Sequence, residues 1–485
     1  MEAHLTDTLL AEEKMGPSSP VTRPSAYLRV AAYVIAFSSF LWGYGFTVLN
    51  VCIAENAKGS ILLDFNLTDA EIELASSLVL IGAWFTAVAT ASLADTYGRR
   101  VVLLVNNVLF IVGALLCALA TSKDTIYIGR TIIGFACGIV TNVTPILLAE
   151  IAPANIRGQI TTLHQLMLTI GILGSSVLGY ALVTSVPSGW RYVNAFVAVP
   201  AILQCMLTPW IPESPRWLLS RNRTDDKATV VSLWRYKKPM LLGTLLVFFQ
   251  AMTGINTVML YSSKIFHFAG VDNSIMATAS VGTINVLATV VSVVLVDTCG
   301  RKILLLLSSG LMAASLGVLS YSLLTLTGKI QGVLAVVCVL VFVAGFAIGL
   351  GAVIWYVELT PSSIRSRAMG FFMAVSYACN VFVATCTLGI IQALGTGPDV
   401  TKNGIAKLYL ICWYGSILHI VRVMTLTSIL IFGSGLAVAC FLFIWGYVPE
   451  TKNITVSQIV TERQERGQPD DDDDQRDDRA LLSDH

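Results

Sequence analysis

The amino-acid sequence predicts an all-α polytopic membrane protein, built as two six-helix bundles related by a pseudo-two-fold axis along the membrane normal. Three observations carry that expectation: an apolar composition with little charge, twelve apolar runs of spanning length, and short charged motifs that recur in order in the second half. Of 485 residues, 55% are hydrophobic and 13% charged, where a soluble domain carries roughly 25% charge. Crossing about 30 Å of hydrocarbon takes about 20 mainly apolar residues. Backbone that faces lipid must satisfy its own hydrogen bonds, so each run is read as a helix.

The runs are Tyr27–Ile53, Ile72–Ala94, Val101–Thr121, Thr125–Ala149, Ile160–Thr184 and Trp190–Ile211, then Met240–Phe268, Met276–Val296, Ile303–Leu326, Gly332–Val357, Ala368–Leu394 and Ser428–Val448. Residues 1–26 carry Glu2, Asp7, Glu12, Glu13 and three prolines with no cleavable apolar core, so the first span is expected to act as the insertion signal. A net charge of +1 leaves no footprint for nucleic acid. Of the ten cysteines, most, among them Cys117, Cys137, Cys205, Cys338, Cys379, Cys386 and Cys440, lie inside spans without metal-type spacing, and they read as small core residues. No metal, cofactor, phosphate loop or nucleophile triad is expected, which argues against an enzyme.

Basic residues set the orientation. Arg99, Arg100, Arg157, Arg301, Lys302, Arg365 and Arg367 crowd one set of connections, joined by the basic linker 212–239. The other set holds Lys58, Lys123, Lys329 and Lys402, apart from one irregular stretch. The first set is therefore assigned to the cytoplasm, with both termini. Asn66-Leu67-Thr68, a glycosylation acceptor pattern, then falls outside.

A duplication gives the architecture. Asp95-Thr96-Tyr97-Gly98-Arg99-Arg100 recurs as Asp297-Thr298-Cys299-Gly300-Arg301-Lys302, Glu150…Arg157 as Glu358…Arg365, and Pro212-Glu213-Ser214 as Pro449-Glu450-Thr451. Parallel repeats around a central cavity are a transporter architecture. The domains implied are a tail 1–26, a bundle 27–211, a shortened linker 212–239, a bundle 240–448 and an acidic tail 449–485. Asp95, Arg99, Arg100, Glu150, Arg157, Glu213, Arg216, Asp297, Arg301, Glu358, Arg365 and Glu450 are the candidate gate, because ion pairs at helix ends close one face and must break to open it.

These motifs, with His164-Gln165-Leu166, Pro212-Glu213-Ser214-Pro215-Arg216-Trp217-Leu218, Gly254-Ile255-Asn256 and Pro449-Glu450-Thr451-Lys452, resemble sugar porters of the major facilitator superfamily, and within them facilitative hexose transporters. The resemblance runs from about Tyr27 to Thr455 and implies the major facilitator fold. It also implies a central site for a small neutral sugar or polyol at Gln165, Gln250, Ile255, Asn256, Asn285 and Asn380. Amides suit such a ligand, since they donate and accept without bringing charge into the membrane. The bland reading of each is an interhelical bond worth about 0.6–2 kcal/mol. The sequence departs from the family at Phe249, Ala347, Ser376 and Tyr377, and Trp355 sits in a compressed pattern.

Proton-coupled members carry an Asp in Gly-Tyr-Asp of span 1, tuned by an Arg of span 4. Here the triplet is Gly43-Tyr44-Gly45 while Arg130 remains, so facilitated diffusion is expected, with Arg130 structural, facing carbonyls or groups near Glu150. The alternatives are a proton-coupled sugar or other organic-solute carrier, and a nutrient receptor, disfavoured because only 34 residues follow Thr451.

Two segments are irregular. From Glu358 to Glu450 is 92 residues against 63 from Glu150 to Glu213. The excess falls at 405–426, apolar yet holding Lys407, His419 and Arg422, and is read as an insertion along the outer interface or a retained piece of non-coding sequence. The acidic end is expected to be disordered. Its Asp477, Leu481 and Leu482 resemble an acidic dileucine signal that an adaptor would read, which sets endosomal or vacuolar sorting beside the default plasma membrane.

Overall fold

A computed structural model describes residues 26–53, 57–153, 156–215, 217–218, 237–253, 255, 258–259, 266, 274–299, 301–325, 329–351 and 365–394. Span 12, the insertion 405–426, and Asn256, Arg216, Glu358, Glu450, Asp477, Leu481 and Leu482 lie outside them. So do the side chains of Arg157, Phe249, Asp297, Arg301 and Arg365. Among the described residues the regular structure is helical. The first half comprises α1 (Ala26–Cys52), the short α2 (Ile61–Phe65), α3 (Asp69–Tyr97), α4 (Arg99–Ala118), α5 (Lys123–Ile151), α6 (Arg157–Ser185), α7 (Gly189–Ala195) and α8 (Ala198–Met206). The second comprises α9 (Lys237–Met252), α10 (Ser274–Cys299), α11 (Arg301–Thr325), α12 (Lys329–Ile348) and α13 (Arg365–Leu394).

Local chemistry explains the ends. Thr68 caps α3 reciprocally with Glu71, and Ser122 caps α5 by accepting from the Thr125 amide. Gly98 stands at φ +90° between α3 and α4, a turn that glycine makes without steric cost. Span 6 departs from the expected single run: it breaks at Phe196–Val197 into α7 and α8. Pro200 is the cause, because it has no N–H to return to the Phe196 carbonyl, which bonds the Val199 amide instead.

Glycines bring the first-half helices to backbone contact. A Cβ on Gly43 or Gly171 would strike the facing backbone where α1 crosses α6; Gly82, Gly134 and Gly138 play that part between α3 and α5. Outward faces carry Phe85, Val88, Val105, Val108, Val294 and Val333, all exposed, as lipid contact demands. Seven described helices are long and apolar enough to cross a membrane by length and composition. The halves meet along two seams. Gly370 of α13 lies on Ala87 and Ala91 of α3, and Gly282 of α10 lies on Leu173 of α6.

Candidate functional site

Five predicted binding residues have described side chains, four of them buried. Gln165 is 4% exposed and makes no side-chain hydrogen bond among the described residues. Asn285 is 2% exposed, and its Oδ1 has no partner. Asn380 is buried on α13, and Ile255 is buried after α9. Gln250 is half-buried and donates from Nε2 to the Leu350 carbonyl at 2.8 Å, so it ties α9 to the end of α12. The α6–α10 seam sets the spacing: from the Leu173–Gly282 contact, Gln165 lies about 12 Å and Asn285 about 4.5 Å along the axes toward the arginine-bearing end. Both residues thus lie on the arginine-bearing side of that contact.

Arg130 is 1% exposed, and each of its three guanidinium nitrogens has a carbonyl partner. Its Nη1 donates to the Gly45 carbonyl at 2.8 Å, Nη2 to Phe46 at 3.4 Å and Nε to Ala75 at 3.3 Å. The titratable groups around it among the described residues are the thiols of Cys117, Cys137 and Cys52, with no carboxylate. The guanidinium clamps α5 to α1 and α3 through carbonyls, one of the two arrangements expected. The other fails because Glu150 is engaged elsewhere. A Cβ at Gly45 would meet the Ile133 side chain at 3.1 Å and the Phe110 ring at 3.5 Å, so packing there is tight.

At the arginine-bearing end, Arg99 reaches Asp95 at 3.0 Å and Glu150 at 3.4 Å, joining the α3–α4 turn to α5. Glu213 differs from the expected ion pair: it accepts from the Arg99 amide at 2.9 Å and the Arg100 amide at 3.1 Å. It therefore caps α4, whose N-cap Gly98 has no side chain to do so. Trp217 donates from its indole to the Asp95 carbonyl at 2.9 Å. All of these contacts lie within the first half. Asn66 is exposed in a left-handed conformation (φ 47°) at the end of α2.

Several polar groups escaped the sequence reading. Asn50, at the far end of α1, donates to the Met259 carbonyl at 3.0 Å and links the two halves there. His164 Nδ1 lies 2.7 Å from the Ser39 hydroxyl and its ring stacks on Trp42, which seats α6 beside Gln165. Gln204 bonds Ser38 and the Val34 carbonyl. The available signal was a polar side chain inside an apolar run, which gives no partner. The cysteines Cys52, Cys117, Cys137, Cys205, Cys338 and Cys379 are free.

Long apolar helices in two halves, with unsatisfied neutral polar groups along the seam, define a secondary-transporter fold. The comparisons narrow the class. Residues 31–232 and 223–462 match the family described as Sugar (and other) transporter. The chain is 32% identical over 419 residues to a facilitated glucose transporter member 3 of solute carrier family 2 from Oryctolagus cuniculus, covering 75% of this chain and 83% of that protein. It is 30% identical over 401 residues to the galactose-proton symporter of Escherichia coli strain K12, covering 75% and 85%. A solved structure of the proton:xylose symporter XylE with 6-bromo-6-deoxy-D-glucose superposes with a TM-score of 0.74 at 25% identity, covering 90% of this chain and 99% of that one. The chain belongs to the sugar porter family of the major facilitator superfamily, and it is a multi-pass membrane transporter of sugars rather than an enzyme.

Proposed function

We propose that the protein carries a hexose or related polyol by facilitated diffusion, through alternating access. The observation that carries this reading is the occupation of Arg130 by the carbonyls of Gly45, Phe46 and Ala75, where a coupled carrier needs a carboxylate. Without a titrating partner there, the first half holds no proton site of that kind. Gln165, Gln250, Ile255, Asn256, Asn285 and Asn380 form the binding set. The charged residues of the repeated motifs, including Arg157, Arg216, Asp297, Arg301, Glu358, Arg365 and Glu450, form the gate on the cytoplasmic face. The six-helix bundles are 27–211 and 240–448, with both termini cytoplasmic and Asn66 glycosylated outside. The plasma membrane is the proposed location; an adaptor at Asp477, Leu481 and Leu482 would divert the protein to endosomes or the vacuole.

The test is uptake of radiolabelled D-glucose, D-galactose and D-xylose into proteoliposomes holding the full chain, with and without an inward proton gradient. Equilibration that ignores the gradient is expected. Accumulation above the outside concentration, abolished by a protonophore, would overturn uniport. The second reading, proton-coupled transport, is favoured by the similarity to the galactose-proton symporter.

A further inference from the structure

The end of α12 is held by side chains from three other helices. α12 stops at Ile348, before the expected end of span 10 at Val357, and Gly349-Leu350-Gly351 form a turn. The Gly351 amide bonds the Phe346 carbonyl at 2.7 Å, five residues back. It thereby takes the acceptor that the Leu350 amide would use in a continuing helix. Ser308 of α11 accepts from that Leu350 amide at 3.2 Å instead. Ser292 of α10 donates to the Ile348 carbonyl at 2.8 Å, and Gln250 of α9 donates to the Leu350 carbonyl at 2.8 Å. Both serines are fully buried.

A helix end inside a membrane leaves carbonyls that water cannot reach, and each needs a donor from the protein. Here side chains supply it, so the break depends on how α10 and α11 pack on α12. Gly349 sets the closeness, since a Cβ there would strike the Ser308 Cβ and the Leu304 carbonyl of α11. Spacing ties the break to the proposed gate. Ser292 precedes Cys299, the end of α10, by seven residues, and Ser308 follows Arg301, the start of α11, by seven. Each serine thus lies about 10 Å along its helix from the turn that carries Asp297 and Arg301. Glu358, the gate acid of span 10, follows Ile348 by ten residues in the sequence. The two serines therefore join the charged turn to the point from which span 10 continues toward Glu358.

We propose that Ser292 and Ser308 are positioning residues for the transport step: they fix the point where span 10 breaks, and through it the rate at which the carrier reopens to the other side. Neither belongs to the binding set. This deepens the sugar-transport reading and rests on it.

The experiment uses full-length protein in proteoliposomes: wild type, Ser292→Ala, Ser308→Ala and the double variant. Ser292→Cys and Ser308→Cys join them, because a thiol keeps weak donor and acceptor capacity at each place. Uptake of whichever radiolabelled sugar the wild type carries, among D-glucose, D-galactose and D-xylose, is measured against concentration, per reconstituted transporter. The thermal midpoint of each purified protein is read alongside. Each alanine variant should lose about three- to ten-fold in maximal rate, the value of one buried hydrogen bond, with half-saturation kept within about two-fold. The cysteine variants should fall between alanine and wild type. Both serines act on one break, so the double variant should lose less than the product of the single losses. A lower thermal midpoint with the maximal rate kept would make the serines helix caps alone, and it overturns the proposal. So does a raised half-saturating concentration with the rate kept, which would place them at the sugar. Should an alanine variant fail to fold, its cysteine counterpart is judged by the same readings. If the wild type carries none of the three sugars, the fault lies with the transport reading, and this inference falls with it.

Discussion

Arg130 and the Gln165–Asn285 stretch are both buried polar regions inside apolar helices, yet their hydrogen bonding is opposite. The Arg130 fork is filled by three carbonyls on two neighbouring helices. Gln165 makes no side-chain hydrogen bond among the described residues, and the Asn285 oxygen has no partner. A polar group whose bonds are complete holds a structure together. One whose bonds are incomplete can still take up a ligand, because leaving a buried polar group empty costs about 1–3 kcal/mol. The difference lies in completeness rather than in polarity or burial.

Two substitutions at Arg130 attack that contrast most strongly. Arg130→Lys keeps a cation but gives up the planar fork that reaches α1 and α3 together, so a buried charge is left short of partners. Its folded protein should lose about 3 kcal/mol, read as a lower midpoint in thermal unfolding of purified protein. Arg130→Met removes the charge along with its demands and should lose less, since the three carbonyls sit within helices that already use them. If Arg130→Met abolished uptake while its thermal midpoint held, Arg130 would belong to the transport machinery and the contrast would collapse.

The opposite pattern is expected at the other region. Gln165→Ala should leave expression and thermal midpoint near wild type, because no side-chain hydrogen bond among the described residues is lost. The concentration for half-maximal uptake should rise about ten-fold, the equivalent of roughly 1.4 kcal/mol of ligand binding. An equal loss of stability would show that Gln165 is glue between helices and remove it from the site.

The sequence made the helices legible because lipid imposes a simple rule: long apolar runs with their caps at the ends. The runs Ile72–Ala94, Val101–Thr121 and Thr125–Ala149 agree with α3, α4 and α5 to within a few residues at each end. The break in span 6 went unread, although Pro200 was its signal, because apolar composition hides a broken helix. At the site, the amides Gln165, Asn285 and Asn380 stood out against their apolar neighbours. Arg130's partners could not be named, since backbone carbonyls carry no side-chain signature. Tyr377 registered only as a departure from a family pattern, and its place against Thr141 of α5 became visible once α13 was seated there. Asn256, Glu358 and Glu450, with the side chains of Asp297, Arg301 and Arg365, stay outside the described residues.

The smallest effect concerns Glu213, which a repeat of acids and bases makes look like half of an ion pair. In the structure it works on backbone, accepting from the amides of Arg99 and Arg100 at the start of α4. Gly98 cannot cap that helix, so a carboxylate arriving from 113 residues away fills the place. Glu213→Gln keeps one accepting oxygen and loses the charge that favours a helix N-terminus, a change of about 0.3–1 kcal/mol. Glu213→Ala loses both and should cost about twice as much. Arg99 still holds Asp95 and Glu150 in either variant. Thermal midpoints should therefore fall in the order wild type, Gln, Ala, while Glu150→Gln, which breaks the Arg99 pair itself, should change uptake rate as well as stability. If Glu213→Gln slowed uptake as much as Glu150→Gln at unchanged stability, the carboxylate would be acting on the gate through its charge, and the cap would be incidental.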